Sequence, residues 1–104
     1  IVEQGSNSNG HYIRYDNGIQ ICWFEDSQRT TVTSGTTIYY TNKVYSYPAS
    51  FASIPTVSPI SRRYANIQWA GIRNATSTSV DIYMLSSNSA AEGWLGYIAI
   101  GRWK

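Results

Sequence analysis

Apolar and polar positions alternate along most of this chain, and no stretch carries a helical period or an internal repeat. The sharpest pattern runs from Asn9 to Trp23, NGHYIRYDNGIQICW. Two runs rich in aromatic and β-branched residues flank Asp16-Asn17-Gly18, a strong turn signal, so the segment predicts a β-hairpin. A two-residue turn at Asn17-Gly18 would set Arg14 opposite Ile21 and leave neither face clean. A three-residue loop from Asp16 to Gly18 sets Tyr15 opposite Ile19, Ile13 opposite Ile21 and His11 opposite Trp23. Arg14-Gln20 and Tyr12-Cys22 then share the other face. The second register gathers the apolar side chains and is the one predicted, with Gly18 in the left-handed region of a bulged turn.

Further along, Thr36 to Tyr40 and Lys43 to Tyr47 read as strands broken near Thr41-Asn42. Tyr45 and Tyr47 share one face there, and Pro48 ends the run. Thr56 to Ile60 reads as a short strand bounded by Pro55 and Pro59, which cannot be fully paired on both sides. Tyr64 to Arg73 alternates as one strand. Thr78, Val80, Ile82 and Met84 form the apolar face of the next, and the two predict a hairpin. Trp94 to Lys104 is the last strand. Both its faces carry apolar residues, so it is central, or covered on its second side by another subunit. Short strands at this spacing predict an all-β fold, a compact antiparallel β-sandwich.

Composition agrees and removes some functions. Only 13% of the 104 residues are charged, while Tyr and Trp number nine and four. That bias suits strands, and it also suits surfaces that bind through rigid aromatics and short polar groups. A net charge of +2, with no basic run beyond Arg62-Arg63, argues against a nucleic-acid partner. No apolar run is long enough for membrane insertion. With no signal peptide and no initial Met, the chain reads as a piece of a longer protein. Gly5 to Gly10 reads as a flexible polar link to whatever precedes it. Cys22 stands alone inside a strand, which predicts a buried small hydrophobe.

The segment SNGHYIRYDNGIQICW resembles the opening signature of C-terminal domains of bacteriophage tail-fibre proteins. The ending Gly101-Arg102-Trp103-Lys104 resembles the terminal signature of the same family, and the two bracket nearly the whole chain. Ile19 departs from the pattern, where the family more often has Thr. Tyr47 through Trp103 is also similar, more loosely, to H-type lectin-like domains, which are antiparallel sandwiches assembled as trimers. The resemblances imply a homotrimer, with residues 1–10 as the linker from a fibre shaft and 11–104 as the distal receptor-binding domain. They imply a virion component acting at the host surface on lipopolysaccharide, another glycan or an outer-membrane receptor.

Candidate chemistry is thin. The carboxylates are Glu3, Asp16, Glu25, Asp26, Asp81 and Glu92, and nothing in their spacing suggests an acid–base pair. The chain is therefore expected not to be an enzyme, and no cofactor is expected. His11 is the only histidine, so a metal would need three copies of it on a threefold axis; an ordinary strand residue is the favoured reading. Arg14 is expected to pair or stack locally beside Tyr12. Arg62 and Arg63 fall in an expected loop, where a solvated turn is favoured over contact with acidic or phosphorylated sugar. Trp23 and Trp69 lie on core-like faces. Tyr45, Tyr47, Tyr83 and Trp94 are the aromatic candidates for stacking on a sugar ring, and trimer contacts are an equally good use for them. A folding cap for the fibre end and a free-standing lectin are the alternatives to receptor binding; a depolymerase is the enzymatic outsider.

Overall fold

A computed structural model describes all residues from Ile1 to Lys104. The chain forms ten strands and no helix: β1 (Glu3–Asn7), β2 (Gly10–Arg14), β3 (Ile19–Glu25), β4 (Thr30–Thr31), β5 (Ser34–Gly35), β6 (Tyr39–Ser46), β7 (Thr56–Ala65), β8 (Trp69–Ala75), β9 (Ser79–Ser86) and β10 (Glu92–Arg102). Every pairing is antiparallel. The first sheet runs β1-β2-β3-β10, with β7 on the far side of β10 and the short β4 beside Glu92 and Gly93. The second runs β5-β6-β9-β8.

The predicted hairpin forms in the predicted register: His11 opposite Trp23, Tyr12 opposite Cys22, Ile13 opposite Ile21, Arg14 opposite Gln20. The Tyr15 amide donates to Ile19 at 2.8 Å and the Gly18 amide to Tyr15 at 3.0 Å, closing the bulged loop. Gly18 has φ +93, a backbone that L side chains rarely adopt. The last strand is central, as expected, and β8 and β9 form the expected hairpin.

Four expectations are corrected. The polar run expected to be a flexible link forms β1 instead, paired with β2 from Glu3–Arg14 to Asn7–Gly10. Glu3 anchors it, accepting hydrogen bonds from Tyr12 Oη (2.7 Å) and Arg14 Nη1 (3.2 Å). The strands expected on either side of Thr41-Asn42 are one, β6, because β9 templates it continuously from Tyr39 to Ser46. Thr56–Ile60 extends to Ala65 as β7. It tolerates Pro59 because it pairs only with β10 and keeps an open edge. The run Tyr64–Arg73 is split, because Asn66 adopts φ +68 and turns the chain from β7 into β8.

The core lies between the sheets. Leu95, Tyr97, Ala99 and Cys22 come from the first sheet; Tyr45, Val80, Ile82 and Met84 come from the second, and Tyr47 from just past the end of β6. Its centre is aromatic. Tyr47 meets Phe51 (5.0 Å) and Tyr97 (5.5 Å) edge-on, and Phe24 lies 5.5 Å from Tyr45. Gln20, fully buried, accepts from Arg14 Nε at 2.6 Å and donates to the carbonyls of Ala49 and Ser50. That pins the proline-rich connection onto the first sheet.

The two signature segments meet in space. The Trp103 amide donates to Gly18 O and its indole Nε1 to Tyr15 O, both at 2.9 Å. The Arg14 guanidinium sits 5.1 Å over the Trp103 ring. Arg14 thus has the local partners its position predicted. The chain's last residues clamp the turn between β2 and β3.

Candidate functional site

The residues singled out for binding occupy three separate places. Tyr45 and Tyr47 are 8% and 5% exposed, inside the core. This corrects their candidacy: Tyr45 in β6 and Tyr47 just beyond its end both pack on Tyr97, and neither presents a ring to a ligand. Burial pushes the Tyr47 hydroxyl up to about 12, and its Oη has no hydrogen-bond partner. Burial also raises Tyr45, whose hydroxyl donates to Asp26 Oδ2 at 2.8 Å.

Arg62, Arg63 and Trp94 gather where β7 meets the start of β10. They lie on paired strands, not in the loop expected for the arginines: Trp94 is opposite Arg62 and Gly93 opposite Arg63. A register shift between Glu92 and Gly93 turns Tyr64 edge-on to Trp94, with centroids 5.6 Å apart. The result is a ladder of alternating cations and rings. Arg62 lies 4.1 Å over Trp94 and Arg29 lies 3.8 Å over Tyr64. Glu25 takes Arg62 Nε at 2.9 Å, and Glu92 takes Arg29 Nε at 3.3 Å. Arg63 is exposed and in no ion pair. Three guanidiniums against two carboxylates leave this end of the sheet positive. Its free donor is Arg63, and one face of each ring is already covered by an arginine. The arrangement suits contact with an anionic group more than stacking of a neutral ring.

Tyr83 lies on the outer face of the second sheet, with Tyr40 edge-on at 5.9 Å and its hydroxyl taking Arg73 Nε at 3.2 Å. Trp69 stands on the same face. The sequence pattern put Trp69 in the core, but it is 44% exposed, because the turn at Asn66 resets the alternation of the run it belonged to.

The outer face of the first sheet is apolar. The hairpin register that gathers Ile13, Ile21 and Trp23 aims them away from the core; Trp23 is half-buried, which corrects its expected core position. Ile98 and Ile100 continue the stripe from β10, opposite Trp23 and Ile21, at 42% and 48% exposure. His11 stacks on Trp23 at 5.4 Å beside a shallow hollow of about 350 Å³. A second hollow, about 220 Å³, lies between the β1–β2 turn and β6 and is floored by Asp26 and Phe24. Asp26 is buried. Desolvation works to raise its pKa, but hydrogen bonds from Lys43 Nζ, the Gln28 amide and Tyr45 outweigh it and hold the carboxyl below its ordinary value.

No protein-family model and no curated protein matches the sequence. Solved structures do. The chain is similar to the C-terminal part of the Pseudomonas aeruginosa R1 pyocin fibre, with TM-score 0.72 at 14% identity, over 96% of this chain and 28% of that one. It is equally similar to an N-truncated R1-type pyocin tail fibre, with TM-score 0.71 at 14% identity, over 96% of this chain and 86% of the other. Discoidin II of Dictyostelium discoideum matches with TM-score 0.65 at 18% identity, over 86% of this chain and 39% of that one. At these identities the likeness is one of fold. It agrees with both resemblances read from the sequence, a tail-fibre distal domain and a lectin-like sandwich.

Proposed function

We propose that this domain is the receptor-binding tip of a phage tail fibre or related phage-tail-like particle, and that it holds a bacterial surface glycan, lipopolysaccharide first among them, without reacting with it. The observation that carries the reading is a sandwich fold common to pyocin tail fibres and discoidin II, with clusters of outward aromatics and arginines on its surface. The positive end around Arg63 suits the phosphate or carboxylate groups of such a glycan. Five of the six carboxylates are held in ion pairs with Arg or Lys, which supports adhesion over glycan cleavage.

The domain works as a homotrimer in this reading. The stripe formed by Ile13, Ile21, Trp23, Ile98 and Ile100 supports it, being the face a second copy would cover. Three copies on one fibre raise the effective concentration of weak sites. The test is binding of the purified domain to a panel of bacterial strains and their extracted lipopolysaccharides, before and after periodate oxidation. Binding to at least one lipopolysaccharide, abolished by periodate, is expected. Binding to none of them would count against adhesion, and binding that survives periodate but not protease would move the receptor to an outer-membrane protein.

A further inference from the structure

The outer face of the second sheet is a grid set by the pairing register. Tyr40, Leu85 and Trp69 make one row across β6, β9 and β8; Asn42, Tyr83 and Gly71 make the next; Val44, Asp81 and Asn74 the third. Strands about 4.8 Å apart make each row about 10 Å wide. A shift in pairing between Ile72 and Asn74 adds Arg73 to the third row.

Three features set this face apart from the arginine ladder. Trp69 and Tyr40 are 44% and 41% exposed, and no cation lies over either ring. Between Trp69 and Arg73 the floor is Gly71, where an added Cβ would meet no atom within 4 Å. A glycine in an exposed strand costs β-propensity, and here no turn, positive φ or close backbone approach requires one. Beside that floor lies a polar row. Asp81, only 9% exposed, accepts from Asn42 Nδ2 at 2.9 Å and from Arg73 Nη1 at 3.0 Å. The network fixes Asn42 and Arg73 in place while Asn42 keeps its carbonyl, and Arg73 its other guanidinium nitrogen, unengaged within the chain. Arg73, two rows along β8 from the exposed indole, and Asn42, across Tyr83 from the empty floor, put donors and acceptors around a surface that suits a pyranose, which offers an apolar C–H face and an adjacent pair of hydroxyls.

We infer that this face is a glycan-binding platform: a neutral pyranose ring stacks on Trp69 above Gly71, and its hydroxyls hydrogen-bond to Asn42 and Arg73. The inference rests on the adhesion reading and deepens it, by placing the neutral-sugar contact on the second sheet and leaving anionic groups to Arg63.

The test uses the ¹⁵N-labelled domain, Ile1 to Lys104, titrated with methyl pyranosides of gluco, galacto, manno, rhamno and N-acetylglucosamine type, with lipopolysaccharide binding measured in parallel. At least one pyranoside is expected to shift the Trp69 indole and Gly71 amide signals. Trp69→Ala should remove that response. Gly71→Val is the sharper variant, since its side chain enters open space and favours the strand. It should keep the wild-type melting temperature and mass in solution and weaken pyranoside binding at least tenfold. Lipopolysaccharide binding with pyranoside shifts confined to other residues, or with no pyranoside response, overturns the platform and leaves adhesion standing. Failure of the wild type to bind any lipopolysaccharide overturns the adhesion reading itself. A change in oligomeric mass on Gly71→Val would show that this face is covered by another copy, and would overturn the platform too.

Discussion

Replacing Ile98 and Ile100 with threonine is the most direct probe of assembly. Both project from β10 on the outer face of the first sheet, 42% and 48% exposed, opposite Trp23 and Ile21. Full burial of an isoleucine side chain is worth about 2 kcal/mol, so covering the exposed half of each yields about 1 kcal/mol. With two such side chains in each of three copies, the double variant removes about 6 kcal/mol from a trimer that buries this stripe. At 1.4 kcal/mol per decade, that lowers the assembly constant about 10,000-fold. Threonine keeps the β-branch, and half-exposed positions tolerate such a change, so the monomer should lose little stability. Sedimentation equilibrium of wild type and Ile98→Thr/Ile100→Thr over a concentration series reads the outcome. A trimer for the wild type, monomer for the variant and unchanged circular dichroism are expected. A wild-type monomer, or a variant that stays trimeric at micromolar concentration, would refute the reasoning.

Trp103→Ala removes the indole hydrogen bond to Tyr15 O and the contact with Arg14 while keeping the backbone amide bond to Gly18 O, and should cost about 2 kcal/mol, read as a drop in the urea midpoint. An unchanged midpoint would mean that the chain end does not clamp the turn. Asp26 titrates below its ordinary value of 3.8 in the folded state, so the unfolded chain takes up its proton first. Its stabilisation is complete above that value and is lost as pH falls through the folded pKa. Asp26→Asn should lower stability at pH 7 by about 2 kcal/mol, and should flatten the acid side of the stability–pH curve. Cys22 is fully buried, and burial pushes its thiol up to about 11. Ellman's reagent should therefore react with it only after denaturant unfolds the domain; rapid labelling of native protein would contradict the packing.

Local rules read along the chain determined much of this molecule. Asp16-Asn17-Gly18 and the residues on either side were enough to set the hairpin register, because a slip of one residue would have turned every side chain over. The two-faced apolar pattern of Trp94–Lys104 left two readings open, a central strand or one covered by another subunit, and the fold sets it centrally in its sheet with Ile98 and Ile100 facing outward. The all-β class followed from β-branched and aromatic residues at period two. What alternation cannot say is which of two apolar faces turns inward. Ile13, Ile21 and Trp23 are the more hydrophobic side of the hairpin, yet they face outward, because Gln20 and Cys22 on the other side meet the proline-rich connection and the tyrosines of β6. The same blindness put Trp69 inside, since one left-handed residue at Asn66 resets the phase of an otherwise regular run. Tyr45 and Tyr47 read as surface rings until the first sheet, with Tyr97, closed over them. The surface that sets Asn42 and Asp81 beside the Trp69–Gly71–Arg73 strand needed β6, distant in sequence, to be laid against the β8–β9 hairpin. Pairing across a sheet is a non-local choice made by packing, and only the folded chain makes it.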